Sequence, residues 1–197
     1  MKYYREIDLD NFEIIQEKLL KYAGSVLESK TIETVGFYPI YKHQKLLSDI
    51  PELQQSFDKY DLKIKTIAFY ISNKPTTDYV SADEPLKKMA HTVKNPIHAD
   101  VSVHQARINL PILNTKGTYT RFFTNCKLKS CVNPFTGTPF ILVTNKDYIE
   151  VDAVEIVKPT VVKITEPHIV QIYEGSVLPR ITLTIGFETD PAYLLEQ

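Results

Sequence analysis

A histidine and an aspartate interrupt an apolar stretch in the middle of the chain, residues 94–113, which reads KNPIHADVSVHQARINLPIL. His98 and Asp100 are two positions apart, so on a β-strand their side chains project from the same face. An imidazole and a carboxylate inside a barrel carry a heavy desolvation cost unless another group compensates for it. A divalent metal ion would do so, and the pair therefore predicts two ligands of a metal site.

A site of this kind needs a third ligand, and the candidates are the other histidines: His43, His91, His104 and His168. His104 is close to Asp100 in sequence, but the residues between them have the length of a turn. His168 has a better context because it opens HIVQIY, a strand-like segment near the C-terminus. We therefore expect His168 to complete the site.

An arginine follows His168 by twelve residues and opens the segment RITLTIGF. The segment alternates, with Ile181, Leu183, Ile185 and Phe187 on one face and Arg180, Thr182, Thr184 and Gly186 on the other. An arginine inside a barrel needs a carboxylate partner because it cannot shed its charge by deprotonation. We expect a hairpin through EGSVLP, residues 174–179, to place Arg180 beside the strand of His168. A small dicarboxylate that bridges the metal and Arg180 would satisfy both.

The N-terminal third of the chain has helical periodicity. Asp10 and Glu13 form a capping box ahead of apolar residues at helical spacing, and Gly24 provides a stop signal. The apolar positions of this first helix are Phe12, Ile15, Leu19 and Tyr22 or Ala23. A second helix is expected over residues 48–60, with Ser48 as its cap and Leu53, Phe57 and Tyr60 on one face. The pattern does not decide the structure of the segment between these helices.

The remainder of the chain reads as short strands. The strand-like segments are residues 62–73, 106–113, 118–125, 138–145, 153–158, 160–165, 168–173 and 180–187. Asn, Gly and Pro turns separate them, and the long segment 74–96 has loop character. Because no linker divides the chain, we predict one α+β domain, mainly β, over residues 1–197, with helices first and then a β-sandwich or barrel.

Composition excludes several classes of protein. A net charge of −1 is not the positive charge expected of a protein that binds nucleic acid or an anionic membrane. The N-terminus has no apolar signal region, and no stretch approaches the roughly 18 apolar residues of a bilayer span. Cys126 and Cys131 are the two cysteines, too few for a disulfide scaffold, which favours a reducing compartment. The expected protein is soluble and cytoplasmic, with neither nucleic-acid nor membrane partners.

The combination of these motifs resembles the Fe(II)- and 2-oxoglutarate-dependent dioxygenases. Its elements here are His98-Ala-Asp100, the distal His168, and Arg180-Ile-Thr182. PIHADVSVHQARINLPI followed by TYTRFF is similar to the branch with prolyl and aspartyl/asparaginyl hydroxylases. The resemblance implies a double-stranded β-helix, a jelly-roll or cupin-like barrel, over residues 62–188, with residues 1–61 as helical N-terminal support.

The same resemblance implies roles for the motif residues. His98, Asp100 and His168 would form the catalytic 2-His-1-carboxylate set that holds Fe(II). Arg180 would bind the C5 carboxylate of 2-oxoglutarate, and Thr182 would hydrogen-bond to the same end. With O2, and with ascorbate in support, such an enzyme converts 2-oxoglutarate to succinate and CO2 while it hydroxylates a C–H bond. The expected substrate is an amino-acid or protein side chain, or another small molecule.

Arg107 and Asn109 lie nine and eleven residues after His98, on the next predicted strand and on a common face. In the resembled branch, polar residues near this position help to bind the co-substrate, which implies that role for Arg107 and Asn109. A structural arginine bound to a loop carboxylate is the alternative.

Other residues carry weaker signals. Arg121, Tyr70 and Tyr119 are further candidates for contact with the co-substrate, and the two cysteines are expected to be ordinary thiols. His91 and His104 are expected to be ordinary polar residues near the site. Residues 74–97 are long enough for a lid over the substrate, or for a surface loop.

Two other function classes fit the same residues. One is a cupin-like metalloenzyme of another activity, such as an isomerase, in which Arg180 would bind substrate. The other is a non-catalytic barrel that keeps the ligands as a binding or structural module. Succinate production from 2-oxoglutarate would separate the dioxygenase from both.

Overall fold

The computed structural model describes residues 2–28, 35–76, 96–132 and 139–197. The helices in these ranges are α1 Phe12–Glu28, α2 His43–Asp49, α3 Pro51–Asp58 and a final 3₁₀ helix, Pro191–Leu195. The strands are β1 Tyr4–Glu6, β2 Val35–Pro39, β3 Ile64–Ser72, β4 His98–Asp100, β5 Ala106–Leu113, β6 Thr118–Thr124, β7 Leu128–Val132, β8 Pro139–Val143, β9 Ile149–Glu155, β10 Thr160–Lys163, β11 His168–Ile172 and β12 Arg180–Phe187.

The strands of the described ranges form two antiparallel sheets of six strands each. Sheet A has the order β1-β10-β5-β12-β3-β2, and sheet B has the order β7-β8-β4-β11-β6-β9. The mainly β, α+β character predicted from the sequence is therefore confirmed. Seven of the eight predicted strands overlap observed ones, some over fewer residues, namely β3, β5, β6, β8, β10, β11 and β12, whereas the segment predicted over 153–158 lies earlier, in β9.

The two predicted helices differ from the observed ones at their ends. Helix α1 continues through Gly24 to Glu28, so the predicted stop is wrong. Glycine costs only about 1 kcal/mol inside a helix and does not have to end it. The single helix predicted over 48–60 is divided into α2 and α3, and Ser48 lies within α2 instead of capping a helix. Pro51, the first residue of α3, has no N–H to continue the hydrogen-bond ladder from α2.

The helices cover one face of sheet A. The inward residues of α1 and α3, including Leu19 and Phe57, form one apolar core with alternate residues of β3, β5 and β12. The β12 members of this core are Ile181, Leu183, Ile185 and Phe187, which confirms that the predicted apolar face is buried. Within the described ranges, no helix has both the length and the apolar character needed to cross a bilayer.

Sheet B covers the opposite face of sheet A. Phe122 of β6 and Val154 of β9 pack with Val162 of β10, and the rings of Tyr3 and Tyr4 stack near Phe122. Arg180 of β12 also reaches across to β6, where its Nε donates to Thr118 Oγ1 at 2.8 Å. Two sheets in contact through such pairs are compatible with a β-sandwich.

One predicted connection is wrong. β11 and β12 do not form a hairpin: β11 pairs with β4 and β6 in sheet B, and β12 pairs with β3 and β5 in sheet A. Residues 173–179 connect the two sheets, a length above the two to five residues of ordinary hairpin loops. Arg180 therefore contacts sheet B from the other sheet, at Thr118 of β6, instead of lying beside the strand of His168.

Candidate metal centre

The central strands of sheet B bring His98 and His168 together. The two residues are Cα partners across β4 and β11, and their ring centroids are 4.8 Å apart. Asp100, two residues further along β4, places Oδ1 3.8 Å from His98 Nε2. The predicted ligands thus converge, and one ligand atom from each of the three lies within 4.8 Å of the others.

The same backbone contact orients both imidazole rings. The Nδ1–H of His98 donates to the carbonyl of Pro96 at 2.8 Å, and that of His168 donates to the carbonyl of Glu166 at 2.8 Å. A carbonyl can only accept, so Nδ1 carries a proton in each ring, and in the neutral form of the imidazole the lone pair is then on Nε2. This is the arrangement that fixes the tautomer of metal-binding histidines.

Electrostatics keep His168 neutral at physiological pH. Burial, together with the nearby His98, lowers the pKa of His168 to about 4, although Asp100 and the hydrogen bond to Glu166 act in the opposite direction. A neutral imidazole is the form that binds a metal, so His168 needs no deprotonation before it can act as a ligand.

The donor set and its spacing fit a divalent transition metal. Two atoms that bind the same ion at about 2.1 Å each lie about 3 to 4 Å apart. The His98–Asp100 distance of 3.8 Å already falls in that range, and the widest separation of 4.8 Å requires a shift of less than about 1 Å. Two imidazoles and one carboxylate leave further coordination positions for other ligands.

The segment between β10 and β11 holds two of the three ligands in place. The N–H of Asp100 donates to the carbonyl of Ile164 at 2.9 Å, and Glu166 accepts from His168. Lys163, with a side chain only 6% exposed, forms an ion pair with Glu166 at 3.0 Å. Residues 163–166 therefore tie the ligand strands β4 and β11 to sheet A.

Arg180 is a buried cation opposite sheet B, with 2% of its surface exposed. Its Nε donates to Thr118 Oγ1 and its Nη1 to Thr182 Oγ1, at 2.8 and 3.3 Å. Burial lowers the pKa of Arg180 to about 10, so it stays charged at neutral pH. Within the described ranges it has no carboxylate within 4 Å, which leaves a buried positive charge and guanidinium donors for a ligand.

Tyr70 and Thr182 are Cα partners on adjacent strands and share the face of sheet A that carries Arg180. Burial raises the pKa of the Tyr70 hydroxyl, and the charge of Asp100 raises it further while Arg180 lowers it. Both charges therefore act on this hydroxyl, which extends from sheet A toward the space between the metal ligands and the arginine.

Arg107 and Asn109 also face sheet B. Arg107 is the Cα partner of Val162, which packs against Phe122 between the sheets, and Asn109 is the partner of Thr184. Both are half-buried, and neither side chain forms a hydrogen bond or ion pair with another described residue. The structural alternative, an arginine bound to a loop carboxylate, finds no support in the described part of the chain.

Two of the remaining sequence candidates lie away from this space. Arg121 and Tyr119 are on the outer face of sheet B, where Arg121 binds Glu150 at 3.0 Å and the hydroxyl of Tyr173. Cys126 and Cys131 are free thiols. His43 lies on α2 and His104 in the loop before β5, whereas His91 and most of the suggested lid, residues 77–95, fall outside the described residues.

Thr118 was not identified from the sequence. Its hydroxyl donates to the carbonyl of Thr115 at 2.6 Å and accepts from Arg180, so it orients the guanidinium. The alternation Thr118, Thr120, Phe122 in TYTRFF was an available signal, since it marks a face with two hydroxyls beside an aromatic ring. The missing information was which strand of the other sheet that face meets.

No protein-family model matches the chain, and a search of curated proteins gives no significant match. A functional assignment therefore has to come from the residues of the site.

Proposed function

We propose that the protein is an Fe(II)- and 2-oxoglutarate-dependent dioxygenase with a double-stranded β-helix core. The observation that carries the proposal is the convergence of His98, Asp100 and His168 in sheet B opposite the buried Arg180 of sheet A. A ligand between the sheets would account for both the cluster of possible metal ligands and the buried arginine opposite it. A possible divalent ion in one sheet and a guanidinium without a described carboxylate in the opposite sheet favour an anion that can bind both.

Charge indicates what kind of anion would fit. Arg180 is buried without a described carboxylate, and Arg107 is a second arginine on the same face of sheet A. Two arginines and a metal site with one carboxylate ligand favour a small dianion over a neutral or cationic molecule. A dicarboxylate such as 2-oxoglutarate meets this requirement, with one carboxylate toward Arg180 and the keto-acid end toward the metal ligands.

Each side chain would have a distinct task. His98, Asp100 and His168 would hold Fe(II), which when bound supplies the oxidative decarboxylation of 2-oxoglutarate and the hydroxylating chemistry with O2. Arg180 would form a charge-assisted pair with the distal carboxylate, oriented by Thr118 and Thr182.

Arg107 and Asn109 would bind the keto-acid end, and Tyr70 would offer a neutral hydroxyl to the same space. The apolar cluster of Phe122, Val154 and Val162 excludes water from one side of this space.

We infer that the substrate is an amino-acid or protein side chain, or a small molecule, with an unactivated C–H bond. The free thiols of Cys126 and Cys131 agree with a cytoplasmic location.

Succinate production tests this function without knowledge of the primary substrate. We expect slow conversion of 2-oxoglutarate to succinate by the purified protein with Fe(II), O2 and ascorbate. The activity should disappear without iron and in Asp100→Ala and His168→Ala, and both variants should retain far less metal than wild type after identical reconstitution. A metal-loaded wild type that binds 2-oxoglutarate but makes no succinate would instead favour an isomerase or a non-catalytic barrel.

A further inference from the structure

One buried hydroxyl between the sheets has no hydrogen-bond partner among the described residues. Thr120 of β6 is 3% exposed, and within the described ranges its Oγ1 has no hydrogen bond. Its neighbour Thr118 shows the usual situation, because that hydroxyl both donates and accepts. A buried hydroxyl without a partner destabilises the protein, so its presence calls for an explanation.

The position of Thr120 on β6 suggests an explanation for its buried hydroxyl. Thr118, Thr120 and Phe122 share a face, and successive members are about 6.8 Å apart along the strand. Thr118 contacts Arg180, and Phe122 is the Cα partner of His168, with ring centroids 6.3 Å apart. Thr120 thus lies midway between the arginine and the metal ligands.

The strands beside Thr120 offer it no partner. Its Cα partners are Val170 of β11 and Val154 of β9, both aliphatic. A hydrogen-bonding partner for this hydroxyl would therefore have to enter the space between the sheets. A molecule that reaches from the metal ligands to Arg180 passes directly beside it.

We propose that Thr120 is a binding residue for the co-substrate and donates a hydrogen bond to an oxygen atom of 2-oxoglutarate. The inference rests on the proposed function and adds a side chain that the sequence motif does not contain. The hydroxyl, which has no partner among the described residues, would form this hydrogen bond when the ligand binds. The same hydroxyl would then destabilise the free protein and contribute to the affinity for the ligand.

The proposal predicts that one variant has an unchanged or higher stability but a lower affinity for 2-oxoglutarate. Thr120→Val keeps the shape of the side chain and removes the hydroxyl. The melting temperature of the metal-free protein should stay the same or rise, by about 2–4 °C for each kcal/mol of the desolvation cost that is recovered. The affinity of the Zn(II)-loaded protein for 2-oxoglutarate, measured by calorimetric titration, should fall about 10- to 100-fold. Thr120→Ser, which keeps the hydroxyl, should bind close to wild type.

Thr160→Val is the matched control, because Thr160 is fully buried and its hydroxyl donates to the carbonyl of Lys158 at 2.8 Å. That variant should melt at a lower temperature and bind 2-oxoglutarate as wild type does. Unchanged affinity in Thr120→Val would overturn the inference alone, and so would weaker affinity together with a lower melting temperature. Absence of 2-oxoglutarate binding by the wild type would overturn the proposed function and this inference with it.

Discussion

Strand β12 belongs to two regions with opposite character. On its outer face, toward the helices, Leu183 and its alternate neighbours are buried in a continuous apolar core. On its inner face, toward sheet B, Arg180 is equally buried but has only hydroxyl partners within the described ranges. Burial of Leu183 and burial of Arg180 therefore have different consequences: the outer face stabilises the fold, and the inner face holds a buried cation with polar neighbours.

Among changes on the inner face, Arg180→Met should have the largest effect on the affinity for the ligand. The affinity for 2-oxoglutarate should fall by about 2–5 kcal/mol, because a charge-assisted pair is lost from a desolvated site. The free energy of unfolding of the free protein should change little or increase, since a buried charge without a described carboxylate partner is replaced by a shorter, uncharged and flexible chain. Ligand titration and urea unfolding measure the two quantities. Arg180→Lys should restore part of the affinity, because an ammonium cannot reproduce the planar fork.

Leu183→Ala tests the outer face three residues away. Leu183 is fully buried, so the free energy of unfolding should fall by about 2–5 kcal/mol through lost burial and a residual cavity. The metal content of the folded protein should remain at the wild-type level. A loss of metal under conditions where the variant is folded would show that the two faces are not independent.

A smaller effect should follow from the pH dependence of stability in the metal-free protein. His168 has its pKa lowered from 6.5 to about 4, so the unfolded chain binds more protons between these values. The stabilisation is fully present above pH 6.5 and is lost as the pH falls to about 4, a change of at most about 3 kcal/mol. Urea unfolding at several pH values measures it. A wild-type slope that persists unchanged in His168→Gln would assign the effect to another group.

Local spacing predicted which side chains share a strand face but not how the strands are arranged. The two-residue spacing of His98 and Asp100 predicted their common face, and the alternation from Arg180 to Phe187 predicted both faces of β12. The predicted hairpin between β11 and β12 was wrong because proximity in sequence does not determine which sheet a strand joins. Strand pairing depends on long-range packing, and for the same reason the contact of Thr118 with Arg180 could not be read from the chain.

The order of the strands also affects how the protein is made. His168 lies 68 residues after Asp100 in the chain, so at about 5–20 residues per second a ribosome delivers the third ligand several seconds after the second. The triad of His98, Asp100 and His168 is therefore complete only late in synthesis. β12 emerges later still, although it lies between β5 and β3 at the centre of sheet A. Until it inserts, both neighbours present unpaired edges, and during that interval the nascent chain is most exposed to incorrect strand pairing and aggregation.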